Sequence, residues 1–139
     1  MSFIGKNYTF TNRQEKFDEF LKVVGVPEER IQQLVKFGPP QKLVKDGDSY
    51  TYITVTPEGP QETKFKSGIE FDDVMGSQKA PVKNTYVVDG NTVTQKVTAI
   101  GKPELGTAIF KREYNGDELV VTITSDKWDG VAKRYYKAE

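Results

Sequence analysis

The chain has 139 residues, with 20 basic residues balanced by 20 acidic ones and neither cysteine nor histidine. This length suits one domain, and the balanced charge argues against nucleic acid as a partner, because phosphate binding needs a concentrated basic surface. Without histidine and cysteine there is no Ser–His or Cys–His nucleophile and only carboxylates could bind a metal, so we predict no enzymatic activity, metal or cofactor.

A short first strand is predicted at Tyr8-Thr9-Phe10, and two helices follow it. The first helix has one apolar face, formed by Phe17, Phe20, Leu21 and Val24 at helical spacing. Pro27 can begin the second helix, and Gly38-Pro39-Pro40 ends it. The two helices are joined almost without a linker and cover about residues 16–37.

The chain after Pro40 is predicted to consist of β-strands only. Candidate strands cover residues 41–46, 48–56, 61–67, 70–75, 82–88, 92–100, 105–114, 118–125 and 131–138. Turn residues separate them, as at Asp89-Gly90 and Asp129-Gly130. No helical segment interrupts the strands, so we expect antiparallel hairpins in a barrel or sandwich.

Two of these strands place an arginine on their apolar face. With a period of two, Arg134 shares a face with Ala132 and Tyr136, and Arg112 shares a face with Phe110. Arginine keeps its proton when buried, so a buried pair requires an anion. Alternation alone also allows both arginines to lie at the solvated surface.

The order of the elements and four stretches together resemble the intracellular lipid-binding proteins, which include the fatty-acid-binding and cellular retinoic-acid-binding proteins. The stretches are Phe3-Ile4-Gly5-Lys6-Asn7-Tyr8, residues 16–26, Gly68-Ile69-Glu70-Phe71-Asp72-Asp73 and Arg134-Tyr135-Tyr136. The resemblance covers nearly the whole chain. It implies a single all-β domain over residues 1–139: a ten-stranded antiparallel up-and-down β-barrel, or clam, with a large cavity and a two-helix lid between the first two strands.

The resemblance also assigns the site. It implies that Arg134 and Tyr136 hold the carboxylate of a ligand directly, while Arg112 acts through its charge and ordered water. The cavity wall would be formed by Phe17, Leu21, Val26, Gln41, Tyr52, Thr54, Phe110, Val121 and Ile123, although most of these could equally pack a core. Ligand entry is expected beside the lid, at Arg30, Glu58 and Lys79.

The predicted function is non-covalent binding and transport of a long-chain fatty acid. A carrier of retinoic acid or another retinoid is the alternative, because both ligands use the same Arg and Tyr residues; a membrane-associated structural lipid-binding protein is a further one. We expect a monomer in the cytoplasm that touches anionic membranes transiently. The acidic cluster Glu70, Asp72 and Asp73 is interpreted as a solvated turn and not as a cation site.

Overall fold

The computed structural model describes residues 3–36, 38, 40–56, 59–75, 80–101 and 106–138. Its elements in chain order are β1 (Asn7–Glu15), α1 (Phe17–Val23), α2 (Glu28–Lys36), β2 (Gln41–Asp46), β3 (Ser49–Thr56), β4 (Gly59–Phe65), β5 (Phe71–Met75), β6 (Ala80–Asp89), β7 (Thr92–Ala99), β8 (Thr107–Asn115), β9 (Glu118–Ser125) and β10 (Trp128–Ala138). We call α1 and α2 together the lid.

The ten strands form one antiparallel sheet in the order β4-β3-β2-β1-β10-β9-β8-β7-β6-β5. The first strand therefore lies between β2 and the last strand, while β4 and β5 form the two edges. The lid connects β1 to β2, and Phe20 of α1 packs against Phe110 and Trp128, with ring centroids 5.9 and 6.1 Å apart. This is the predicted all-β clam with a helical lid, and the prediction is confirmed.

Aromatic rings close the gap between the two edges. Phe65 at the end of β4 stacks on Tyr86 of β6, with ring centroids 4.4 Å apart. Tyr50 lies against the other side of Phe65 at 5.5 Å, and Phe71 of β5 stacks on Tyr86 at 6.2 Å. The backbone N–H of Gly68 also donates to the Tyr86 carbonyl at 2.8 Å. The β4–β5 connection is therefore fastened to β6.

The first strand is longer than the sequence suggests. It continues to Glu15, and its register with β10 shifts between Phe10 and Gln14. Asn12 has a φ of 67° in this interval, which is a left-handed conformation. A bulge of this kind changes the face that successive side chains occupy, so the alternation that marks a strand is lost after Phe10.

The predicted turn at Asp129-Gly130 is wrong. The chain turns at residues 126–127, and Trp128 already pairs with Ser125 across the hairpin. Asp129 and Gly130 belong to β10, where the register shifts between Trp128 and Ala132. A side chain at Gly130 would collide with the Trp128 indole, so this glycine serves close packing in a bulge.

The described helices are too short and too polar for any of them to span a lipid bilayer. Residues 76–79 and 102–105, which lie mostly between predicted strands, are outside the described residues.

Candidate functional site

The register of the sheet aligns the two arginines. Arg112 of β8 is opposite Val121 of β9, and Val121 is opposite Arg134 of β10. Neighbouring strands lie about 4.8 Å apart, so the two arginine Cα atoms are separated by roughly 10 Å on one row. Both side chains are only 6% exposed, which agrees with the alternation of their strands. Gln14 of β1 continues the row beyond Arg134.

Arg112 lies within a group of polar side chains on the inner face. Its Nη2 donates to Gln95 Oε1 at 2.8 Å, and its Nε donates to the Tyr52 hydroxyl at 3.3 Å. The Tyr52 hydroxyl in turn donates to Gln41 Oε1. The Nη1 atom of Arg112 is buried and has no hydrogen-bond partner among the described residues. A buried donor left unpaired costs about 1–3 kcal/mol, so this atom is suited to an oxygen from a ligand.

The charge of Arg112 is permanent. Burial alone would lower the pKa of its guanidinium, but the Tyr52, Tyr86 and Tyr114 hydroxyls raise the pKa, and the net direction is upward. Within the described part of the chain, the ion pairs join surface residues, and no carboxylate lies within ion-pair distance of Arg112. The inner face therefore carries a cation without an adjacent counter-ion.

Arg134 has different surroundings, beneath the lid. Its guanidinium carbon lies 4.1 Å from the ring centroid of Phe10 and 4.3 Å from that of Phe17. Its Nε donates to Gln14 Oε1 at 3.0 Å, and Gln14 Nε2 donates to the Val35 carbonyl at 2.8 Å. Burial lowers the pKa of Arg134, and Tyr136 opposes that shift. The guanidinium keeps its charge at any ordinary pH because it starts from a very high value.

Tyr136 lies in the electrostatic field of both arginines. It is 5% exposed, and burial raises its pKa, while Arg134 and Arg112 act in the opposite direction. Gln41 also lowers the pKa of Tyr136. Tyr136 thus lies within the electrostatic reach of both arginines, with Arg134 the stronger influence, while Arg112 bonds Gln95 and Tyr52 and Arg134 bonds Gln14.

The predicted wall residues lie on buried or half-buried positions. Those that are buried are Leu21, Gln41, Tyr52, Val121 and Ile123, and those that are half-buried are Phe17, Val26, Thr54 and Phe110. Of the entry residues, Arg30 is exposed on α2 and donates to Gln33 Oε1 at 3.3 Å. Glu58 and Lys79 lie outside the described residues.

Two open clefts of about 270 Å³ each border the interior. One lies beside the lid and is lined by Gln14, Lys16, Phe17, Asp18, Gln32 and Val35. The other lies at the gap between the sheet edges and is lined by Ser49, Lys64, Phe65, Lys66, Ile69 and Phe71. The first cleft lies beside the lid, but Arg30, the described member of the predicted entry residues, is not part of its lining.

Sequence reasoning missed an amide pair behind Arg112. Gln95 Nε2 donates to Asn84 Oδ1 at 3.1 Å, and Asn84 Nδ2 donates to Asp73 Oδ2 at 3.2 Å. The signal was present, because Gln95 stands between valines on the apolar face of β7. Both aspartates lie on β5 and not in a turn; Asp72 is exposed and bonds Lys83, as a solvated residue would, but Asp73 is half-buried. No cluster able to hold a metal ion occurs among the residues with described positions.

A ten-stranded clam with buried cations beneath a helical lid has the architecture of the intracellular lipid-binding proteins. No family model matches the chain. Fatty acid-binding protein 1 of Manduca sexta is 55% identical over 138 residues, which is 99% of this chain and 100% of that protein. The solved structure of the fatty-acid-binding protein isolated from Manduca sexta is similar with a TM-score of 0.88 at 51% identity, covering 98% of this chain and 99% of the other. The fatty acid binding protein of Schistosoma mansoni, solved in complex with arachidonic acid, has a TM-score of 0.85 at 27% identity and covers 99% of this chain and 96% of its own.

The chain belongs to the fatty-acid-binding protein family. This family is not enzymatic, which agrees with the prediction that the protein is not an enzyme.

Proposed function

We propose that the protein binds a long-chain fatty acid without covalent attachment, inside the clam, and transports it. The unpaired, buried Nη1 of Arg112 is the observation that carries this proposal. A buried permanent cation favours an anion as its partner, and the buried apolar residues elsewhere on the inner face, such as Val121 and Ile123, favour an anion with an apolar tail. The relatives support the same ligand class, because they are fatty-acid-binding proteins and one of them was solved with arachidonic acid.

The contacts favour Arg112 and Tyr136 as the residues that hold the carboxylate directly. Arg112 offers a donor that has no partner among the described residues, and Tyr136 is a buried hydroxyl within the electrostatic reach of both arginines. Arg134 is engaged by Gln14 and by two aromatic rings, so its role is to add positive charge beneath the lid. This division differs from the one that the family resemblance implies, in which Arg134 makes the direct contact.

The apolar tail supplies most of the binding free energy. Each buried methylene contributes about 0.8 kcal/mol, so a tail of about fifteen gives roughly 12 kcal/mol as an upper bound. A charge-assisted hydrogen bond adds about 1.5–3 kcal/mol, part of which offsets desolvation of the carboxylate. The arginines therefore select acids over neutral lipids, because a neutral head group leaves the polar site unsatisfied.

Binding of oleic acid, oleyl alcohol and retinoic acid to the delipidated protein tests the proposal. We expect calorimetry to show oleic acid binding about 10- to 100-fold more tightly than oleyl alcohol, the ratio that one charge-assisted hydrogen bond supplies. Mass spectrometry of lipid extracted from the purified protein should find fatty acid. Equal affinities for acid and alcohol, or tighter binding of retinoic acid, would contradict the proposal.

Variants of the two arginines test the division of roles. We expect Arg112→Gln to weaken oleic acid about 10- to 100-fold with little effect on oleyl alcohol, and Arg134→Gln to weaken it less. Lys133→Gln is the matched control, because Lys133 neighbours Arg134 on the opposite face of β10. A larger loss in Arg134→Gln than in Arg112→Gln would reverse the assignment.

A further inference from the structure

A line of hydrogen bonds runs from Arg112 across two further strands to the sheet edge. It passes from Arg112 on β8 to Gln95 on β7, then to Asn84 on β6, and ends at the carboxylate of Asp73 on β5. The three donor–acceptor distances are 2.8, 3.1 and 3.2 Å. Asn84 is 1% exposed and Gln95 is 4% exposed, so solvent screens the two amides poorly.

The two ends fix the direction of this line. Arg112 can only donate, and an ionised Asp73 can only accept. Asn84 must therefore turn its amino group to Asp73, and Gln95 must turn its carbonyl to Arg112. All three donors point the same way, from the cation to the anion. Such a chain of aligned dipoles strengthens the interaction between its charged ends.

No cation among the described residues lies within ion-pair distance of Asp73. Its second oxygen, Oδ1, accepts from the backbone N–H of Val74 at 2.8 Å. The neighbouring Asp72 bonds Lys83 at 2.8 Å at the surface, whereas Asp73 forms no ion pair within the described residues. Among the residues with described positions, the half-buried carboxylate and the buried guanidinium thus each lack an adjacent counter-ion, and the two amides join them.

We propose that Asp73 is the remote counter-ion of Arg112 and limits how tightly the interior holds an anion. The inference rests on the proposed function and adds a residue that tunes it without touching the ligand. A bound carboxylate and the Asp73 carboxylate both interact with the positive charge of Arg112, although they occupy different places. Each therefore weakens the attraction of Arg112 for the other. Coupling of this kind is reciprocal, so removal of the Asp73 charge strengthens anion binding.

Asp73→Asn tests the inference, with Asp72→Asn as the matched control on the same strand. We expect the dissociation constant of oleic acid to fall about 2- to 8-fold in Asp73→Asn, which is the Coulomb effect of one charge at roughly 14 Å, or three strand spacings, in a partly screened interior. Oleyl alcohol should bind Asp73→Asn and the wild type equally. Asp72→Asn should leave both dissociation constants unchanged.

A charge exchange provides a second test that keeps composition and net charge constant. In the double variant Asp73→Asn/Asn84→Asp, the carboxylate moves one link closer to Arg112. We expect oleic acid to bind this variant more weakly than the wild type, again without a change for oleyl alcohol. The two experiments predict opposite signs, which loss of folding or packing cannot produce.

The outcomes of these experiments separate failure of the Asp73 inference from failure of the proposed function. If the wild type prefers oleic acid and Asp73→Asn does not increase that preference, the inference fails and the proposed function stands. Parallel changes for acid and alcohol, or the same gain in Asp72→Asn, also overturn the inference. If the wild type binds oleic acid and oleyl alcohol equally, the proposed function fails and the inference fails with it.

Discussion

Two arginines on one row of the inner face differ in what surrounds them. Arg112 bonds the Gln95 amide and the Tyr52 hydroxyl, whereas Arg134 bonds the Gln14 amide and lies against two aromatic rings under the lid. Alternation puts both arginines on the strand face that carries apolar residues, and the family resemblance implies that this face is the inner one. It does not indicate their partners, since those depend on the register of strands distant in sequence. Arg134 and its partner Gln14 are 120 residues apart.

The buried tyrosines predict a loss of stability at alkaline pH. Burial raises the pKa of Tyr86 from 10.0 to about 12, with Arg112 opposing the shift. Tyr86 ionises at a lower pH in the unfolded chain than in the folded one. Its contribution to the free energy of unfolding is therefore complete below pH 10.0 and is lost as pH rises toward about 12. The loss is about 1.4 kcal/mol per pH unit for each such group.

Urea unfolding followed between pH 9 and pH 12 measures the effect at Tyr86. The free energy of unfolding should fall with pH, and the slope should be shallower by about one proton in Tyr86→Phe. An unchanged slope in that variant would assign the alkaline loss to other groups.

At the level of elements, Gln14 joins β1, β10 and α2. Its amide accepts from Arg134 and donates to the last turn of α2 at Val35. The sequence could not predict this contact, because the bulge at Asn12 interrupts the alternating pattern of the strand that carries Gln14. The turn after β9 also depends on a contact between residues distant in sequence. The Asp126 carboxylate accepts a hydrogen bond from the Thr107 N–H at 2.8 Å, and the sequence around Asp126 does not indicate this contact.

Gln14→Leu should loosen the lid. It removes both hydrogen bonds and leaves Arg134 Nε without this acceptor, so we expect a loss of about 1–3 kcal/mol in the free energy of unfolding. Hydrogen exchange of the backbone amides in residues 28–36, measured by mass spectrometry, should become faster by a larger factor than exchange elsewhere in the chain. Gln61→Leu on β4, where the side chain is exposed, is the control. Equal exchange of α2 in the two variants would show that Gln14 does not anchor the helix.

At the scale of the whole molecule, the sheet has two edges that aromatic stacking brings together. Phe65 is 4% exposed and lies between Tyr50 and Tyr86. The hairpin turns and alternating strands predict antiparallel neighbours in a barrel or sandwich, and the family resemblance implies the clam. They do not predict where the sheet stays open, because that depends on contacts between strands that do not pair.

Phe65→Ala should destabilise the molecule by about 3–5 kcal/mol, the usual cost of a buried Phe→Ala change. We also expect faster amide exchange at Gly68, whose N–H bonds the Tyr86 carbonyl, because the stack holds that connection on β6. Ile69→Ala is the control at a side chain that is 56% exposed, and it should cost less than about 0.5 kcal/mol. Similar unfolding free energies for the two variants would show that the stack does not close the gap.

The position of β1 between β2 and β10 has a consequence for how binding capacity arises. Eight of the nine strand pairings in the described sheet join neighbours in sequence, but the ninth, the seam between β1 and β10, joins the first strand to the last. Closing so long a loop is slow, since its entropy is lost before its contacts form. Arg134 and Tyr136 lie on the strand that completes the seam. Under the proposed function, a growing polypeptide therefore gains Arg134 and Tyr136 of the carboxylate site only when β10 docks, and a chain without β10 has only Arg112 of the three.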